Sequence, residues 1–160
     1  MVKEIVDEFE TIADAFTSTN AFIFDEIGAI NMDRDITYPA ILVNARNIDT
    51  DVVRYRKNDH LPITKEYVFN FLFLDDYPES ESSTNLQDKY DNLELIAEQY
   101  FAEVKRRQEA SGDFKNGITV GNPANGFFAN NVHNDRLVQL SYTLTIQATE
   151  ENCTVGTFSY

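Results

Sequence analysis

The sequence predicts an α+β fold: a mostly antiparallel sheet packed by one long helix and an N-terminal helix. Three observations lead to this prediction. Apolar residues recur at helical spacing in residues 2–18 and again in residues 84–110. Residues 65–74 (KEYVFNFLFL) and 136–148 (RLVQLSYTLTIQA) have the alternation of strands. The 160 residues, 42% of them hydrophobic, fit a single domain over 1–160 with a packed core.

Each predicted helix has one continuous apolar face. In the first helix this face consists of Ile5, Phe9, Ile12 and Phe16, widened by Val6 and Ala13. In the second it consists of Leu86, Tyr90, Leu93, Ala97, Tyr100 and Val104, with Ile96 and Phe101 beside it. Thr84 and Gln87 fit a capping box at the start of this second helix.

The segment 65–74 is the strongest strand signal. One face carries Tyr67, Phe69, Phe71 and Phe73, and the other carries Val68, Leu72 and Leu74 with Asn70. A strand that is apolar on both faces is expected to be central and covered above and below.

Weaker signals complete the order α, β, β, β-hairpin, β, α, β, β. Strands are predicted in 21–30, 36–47 and 117–121, and a protruding hairpin at about 48–64 with its turn near Lys57–Asp59. Residues 75–84 are predicted to form a polar loop, and residues 122–134 a connection rich in Gly and Asn.

Composition excludes several classes of protein. The chain has 27 acidic and 13 basic residues, a net charge of −14, which argues against binding to nucleic acid or to an anionic membrane. The single cysteine, Cys153, excludes an internal disulfide and a multi-cysteine zinc site. The N-terminus lacks a signal-peptide apolar region, and no apolar run suffices to span a bilayer. We therefore expect a soluble intracellular or virion protein.

The negative charge is concentrated in two segments. Residues 1–35 hold nine acids and two bases, and residues 75–98 hold eight acids and one base, so each has a net charge of −7. The segments 36–74 and 99–160 come to +1 and −1. Such segments are either solvated faces that promote solubility or surfaces that select a partner.

No motif indicates catalysis or a cofactor. His60 and His133 fall in polar segments, and the acid pair Asp75/Asp76 lies in a predicted loop without calcium-loop spacing. The spacing Glu103-Val104-Lys105 occurs in some metal-dependent nucleases, but here it falls on a helix rather than on a strand. We expect a protein that is not an enzyme.

The layout resembles that of the tail terminator and tail-completion proteins of tailed bacteriophages. The resemblance depends on the N-terminal helix, ITYPAILV at 36–43, EYVFNFLFLDDYP at 66–78, the helix at 85–108 and LVQLSYTLTIQATEENC at 137–153. It implies a virion protein, assembled in the host cytoplasm, that forms a ring such as a hexamer or dodecamer. It further implies contacts with portal, adaptor, tail-tube or tail-hub proteins, and non-specific passage of genomic DNA through the ring.

A ring subunit needs two different surfaces that fit each other. The candidate basic residues are Arg54, Arg56 and Lys57 in the predicted hairpin and Lys105, Arg106 and Arg107 at the end of the long helix. The candidate acidic surface is segment 75–98, beginning with Asp75 and Asp76. The segments 48–64 and 122–134 are placed to reach a neighbour, and an acidic lumen would repel the DNA backbone.

Two other classes remain open. An acidic binding protein, such as an immunity protein or a DNA mimic that inhibits a basic target, would explain the charge of −14 directly. A small metal-dependent enzyme would need carboxylates that converge in space.

Overall fold

The structure is a computed structural model that describes residues 2–24, 36–52, 60–77, 83–109, 118–132 and 137–154. These residues form two helices and one sheet of six strands, which confirms the α+β class. In chain order the elements are α1 (Val2–Ala15), β1 (Ala21–Phe24), β2 (Ala40–Val52), β3 (His60–Asp76), α2 (Ser83–Glu109), β4 (Ile118–Val120), β5 (Ala124–Val132) and β6 (Leu137–Thr154).

The sheet is built around the antiparallel pair β3 and β6. The strand order is β1-β2-β3-β6-β4, and β5 also pairs with β6. Only the four-residue strand β1 runs parallel to its neighbour, β2. Because β4 pairs with residues 146–148 of β6 and β5 with residues 137–143, the two strands share the same side of β6. The sheet edge on that side is therefore divided between them.

Alternation along β3 places its aromatic row under the two helices. Phe71 lies near the centre of this row, with its ring centroid 5.0 Å from Phe9 of α1 and 5.2 Å from Phe101 of α2, both in edge-on geometry. Edge-to-face pairs at this distance are favoured by the ring quadrupoles. Tyr67, Phe69, Phe71 and Phe73 are all buried on this face, as their spacing predicted.

One buried hydrogen bond connects the two helices. The hydroxyl of Tyr100 donates to the carbonyl oxygen of Phe9 at 2.8 Å. Burial raises the pKa of Tyr100 well above its ordinary value, so the hydroxyl keeps its proton and remains a donor. The bond holds α1 against α2 over the aromatic row.

On the opposite face of the sheet Leu72 and Leu74 are also buried, as the prediction of a central strand covered on both sides requires, although neither helix covers this face. Four buried leucines form a small separate cluster there, with Ile23, Ile36 and Tyr38 packed against them: Leu42, Leu72, Leu74 and Leu137. Further along the same face the row becomes polar, with Asn44 opposite Asn70 and Asn70 opposite Thr143. We name this side of the sheet the open face.

One element prediction is wrong. Residues 124–132 form strand β5 rather than a connection, because pairing with β6 outweighs the low strand propensity of Asn and Gly. The predicted hairpin 48–64 is confirmed in its antiparallel pairing, from Ile48↔Tyr67 to Val52↔Ile63, and its two sides are the ends of the long strands β2 and β3. Its turn lies outside the described residues.

The strands continue past Ala148 of β6, which is buried in the core opposite Lys65. Beyond this pair, β3 still pairs with β6 as far as His60↔Thr154. Five further residues of β3 at about 3.3 Å each extend this ladder by roughly 16 Å. We name this part of β2, β3 and β6 the extended ladder.

The aromatic row predicts a large effect for Phe71→Ala. Phe71 is fully buried and contacts aromatic rings of both helices, so truncation leaves a cavity and is expected to cost about 3–5 kcal/mol. Urea unfolding followed by circular dichroism measures the loss. The control, Leu95→Ala on the exposed side of α2, is expected to cost below about 0.5 kcal/mol. Equal midpoints for the two variants would contradict the packing described.

Candidate interaction surface

The edge of the sheet at β5 exposes two adjacent aromatic side chains. Phe127 is 57% exposed and Phe128 is 42% exposed. Phe127 lies opposite Ser141 and Phe128 opposite Leu140, so the two rings project to opposite faces of the sheet. Among the described residues, the outer side of β5 has no strand partner. An unpaired edge with exposed aromatic residues is a ready template for contact with another chain.

The local sequence explains how β5 lies so close to β6. Asn125 has a φ of 57°, a left-handed conformation that Asn tolerates better than most residues. At Gly126 an added Cβ would lie 2.6 Å from Cε1 of Tyr142. The glycine therefore allows the backbone to pass directly over the tyrosine ring. Register shifts between Ala124 and Phe127 accommodate the irregular pairing that results.

The side of α2 next to β5 is acidic and exposed. Asp91, Glu94 and Glu98 follow one another at helical spacing, and Leu95 among them is 51% exposed. None of these three carboxylates has an ion-pair partner within the part of the chain that the structure describes. We name the exposed side chains of Asp91, Glu94, Leu95 and Glu98 together with Phe128, the β5 ring on the same face of the sheet as α2, the α2–β5 surface.

Ring contacts and electrostatics connect the two halves of this surface. The ring of Phe128 lies 4.5 Å from that of Tyr90 on α2. Burial together with the carboxylates of Glu94 and Glu98 raises the pKa of Tyr142. Acidic and aromatic groups therefore lie next to each other, which is the chemistry that attracts Arg and Lys side chains.

A cavity lies on the open face beside β5. It has a volume of ≈ 370 Å³ and is lined by Asn70, Leu72, Asn125, Phe127, Gln139, Ser141, Tyr142 and Thr143. Much of its polar lining is internally bonded, since Gln139 donates to Ser141 at 2.6 Å and Thr143 donates to Asn70 at 3.4 Å. On the same face the buried Oδ1 atom of Asn44 has no hydrogen-bond partner among the described residues.

The predicted site residues Asp75 and Asp76 are paired within the chain. The Nζ atom of Lys89 donates to Asp75 at 3.2 Å and to Asp76 at 3.3 Å. Burial raises the pKa of Asp75. For Asp76, burial acts in the same direction, but the hydrogen bond with Asp75 and the ammonium of Lys89 lower its pKa overall. The three groups anchor the start of α2 to the end of β3.

The predicted basic residues of α2 are also paired within the chain. Arg106 makes two 2.7 Å hydrogen bonds to the carboxylate of Glu103, and the Nε atom of Arg107 donates to the same carboxylate at 3.0 Å. Arg107 further approaches Glu8 of α1 at 3.8 Å. Lys105 donates to the carbonyl oxygen of Val120 at 3.0 Å. These cations hold α2 to α1 and β4.

The other predicted basic residues, Arg54, Arg56 and Lys57, lie outside the described residues, between β2 and β3. Over the described ranges, no group of three or more His, Cys, Asp or Glu side chains converges to hold a metal ion. No helix in those ranges is long and apolar enough to cross a membrane.

Sequence reasoning missed the importance of Phe127 and Phe128. The Asn and Gly residues around them indicated a connection, although two adjacent aromatic residues in so polar a segment were a signal of their own. The acidic face of α2 was included in segment 75–98. The pattern alone did not separate Asp75 and Asp76, which pair with Lys89, from Asp91, Glu94 and Glu98.

Comparison with known proteins does not identify the α2–β5 surface, so its interpretation depends on its own chemistry. No protein-family model matches the chain, and no curated protein matches it.

The pairing of Glu103 predicts a pH-dependent contribution to stability. Hydrogen bonds from Arg106 and Arg107 lower the pKa of Glu103 from 4.5 to about 2. Because the pKa of Glu103 is lower in the folded chain than in the unfolded chain, its ionised carboxylate stabilises the fold above pH 4.5. This stabilisation is lost as the pH falls through about 2. Glu103→Gln is therefore expected to cost below about 1 kcal/mol at pH 7, because the carboxylate is partly exposed.

Urea midpoints of Glu103→Gln and wild type at pH 7, 4 and 2.5 measure this effect, and the difference is expected to shrink toward the acidic end. Glu109→Gln, an exposed carboxylate on the same helix, is the control. A Glu103→Gln deficit that grows as the pH falls would have the wrong sign.

The close approach at Gly126 predicts that Gly126→Ala disturbs the β5 edge. The added methyl group meets the ring of Tyr142, and that ring is itself packed 5.4 Å from Phe101. Overpacking of this kind costs about 1–3 kcal/mol, measured as a fall in the urea midpoint. The control is Asn130→Ala, an exposed position on the same strand. A Gly126→Ala midpoint equal to that of the control would show that β5 does not lie against Tyr142.

Proposed function

We propose that the chain is a structural subunit of a homo-oligomeric ring in the tail or head–tail connector of a tailed bacteriophage. In this role it has no catalytic activity and needs no cofactor. Its neighbours along the particle axis would be portal, adaptor, tail-tube or tail-hub proteins, and genomic DNA would pass through the ring. The protein would be located in the virion.

The proposal depends mainly on the exposed apolar and acidic side chains of the α2–β5 surface. Of the four large hydrophobic side chains exposed among the described residues, Leu95 and Phe128 belong to this surface, and Phe127 lies at the same sheet edge on the opposite face. Exposed apolar groups beside an unpaired sheet edge are typical of protein–protein contacts. A surface of this kind supports an assembly role better than a catalytic one.

The negative charge supports the passage of DNA. A ring built from chains of net charge −14 presents like charge to phosphates, so DNA would move past without sticking. Two surfaces remain for the lumen and the exterior of the ring. One is the polar open face of the sheet, and the other is the outer face of α1, on which Asp7, Glu10 and Asp14 are exposed.

A second candidate function is an acidic binding protein that inhibits a basic target. The unpaired carboxylates of Asp91, Glu94 and Glu98 beside exposed aromatic rings favour it, because such a surface also fits an arginine-rich enzyme. This candidate predicts a monomer or dimer whose affinity for a basic protein falls steeply with salt.

Native mass spectrometry of the purified chain at low and high concentration tests the ring. The expected result is a series that ends at a closed multiple of 18.3 kDa, such as a hexamer or dodecamer. The exposed apolar edge predicts that Phe127→Ser/Phe128→Ser shifts this series toward the monomer, while Asn130→Ser on the same strand leaves it unchanged. A chain that stays monomeric at every concentration, and binds a basic protein in a salt-dependent way, would favour the inhibitor instead.

A further inference from the structure

We infer that the α2–β5 surface of one copy receives the basic segment 53–59 of a second copy. This inference rests on the proposed ring and names the two surfaces that meet in it. The segment 53–59 (VRYRKND) joins β2 to β3 and contains Arg54, Arg56 and Lys57 against the single acid Asp59.

The first step is that five other cations of the described residues are already engaged. Lys89 pairs with Asp75 and Asp76, Arg106 and Arg107 pair with Glu103, and Lys3 pairs with Asp7. Lys105 donates to a backbone carbonyl. Of the eight remaining basic residues, three fall within the four positions 54–57, which makes this the densest group among those eight.

The second step is that the receiving surface has the complementary chemistry. Asp91, Glu94 and Glu98 have no ion-pair partner among the described residues. Beside them Phe128 exposes 42% of its surface. A guanidinium group can pair with a carboxylate and stack on an aromatic ring at the same time. Segment 53–59 also contains Tyr55, an amphipathic aromatic of the kind enriched in interfaces.

The third step is that one copy cannot satisfy this complementarity by itself. Phe128 lies opposite Leu140 of β6, and Ile63, the last paired residue of β3 before the turn with β2, lies opposite Glu150. Ten residues of continuous strand separate those positions, or about 33 Å. Chain length allows a seven-residue connection, anchored at both ends, to reach at most about 14 Å from its anchors. The remaining gap of roughly 20 Å along the strand is longer than an arginine side chain, so the contact requires a second copy.

The fourth step concerns symmetry. The donor segment and the receiving surface are different parts of the chain, so the contact is heterologous and each copy uses both. Repetition of such a contact closes into a ring when the rotation per subunit divides a full turn. The contact therefore has the type that the proposed function requires.

Charge exchange tests this contact. The surface variant is Glu94→Lys/Glu98→Lys, and the segment variant is Arg54→Glu/Arg56→Glu. Each is expected to raise the concentration needed for assembly by at least about tenfold, since like charges then face each other. A 1:1 mixture of the two variants is expected to assemble again, because each mutated surface then meets an oppositely charged partner.

The matched control is Glu10→Lys/Asp14→Lys, which makes the same charge change at exposed positions of α1. It is expected to assemble like wild type. Far-ultraviolet circular dichroism and the melting temperature establish that every variant is folded.

The outcomes separate this inference from the proposed function. Variants that form wild-type rings would overturn the inference and leave the ring in place. A mixture that does not assemble, or a control as impaired as the surface variant, would show a general charge effect and overturn it as well. A wild-type chain that never assembles would overturn both.

Discussion

The pairing of β3 with β6 is the constraint on which the rest of the structure depends. These two strands pair antiparallel from Asp76↔Leu137 to His60↔Thr154, with one register shift between Leu61 and Ile63. One end of this pair carries the aromatic row that both helices cover, with Phe71 between Phe9 and Phe101. The other end continues as the extended ladder. A long paired strand is stiff along its length, so it fixes the separation between whatever lies at its two ends.

Two groups of charges among the described residues have different roles. One group is paired internally: Lys89 with Asp75 fastens the beginning of α2 to β3, and Arg107, held by Glu103 within the helix, reaches Glu8 of α1. The other group, Asp91, Glu94 and Glu98, has no such partner among the described residues and lies beside exposed aromatic rings. In water the exposed aromatic rings are unfavourable, whereas the unpaired carboxylates are well solvated. A partner therefore gains most when it covers the rings and neutralises the acids at the same time.

The sequence predicted the helices and the central strands well because their signals are local and strong. The apolar face of α1, from Ile5 to Ala13, and the aromatic row of β3 follow directly from side-chain periodicity. Strand β5 escaped prediction because it is formed by pairing with β6 and by the fit of Gly126 over Tyr142, which are contacts between distant parts of the chain. The roles of Lys105, Arg106 and Arg107 escaped it for the same reason: charge is visible in a sequence, but its partner, here Glu103 or Val120, is not.

The most direct test of the central claim is a pair of distance measurements by double electron–electron resonance on chains in which Cys153 is replaced by serine. Spin labels at Asn58→Cys and Asn92→Cys avoid the charged residues themselves. When both labels are on one chain, diluted with unlabelled chains, the distance should be long, as the extended ladder requires. When each label is on a separate chain in a mixed assembly, a short distance, below about 25 Å, is predicted from contact between the surfaces. A short distance within one chain, or only long distances between chains, would contradict the account.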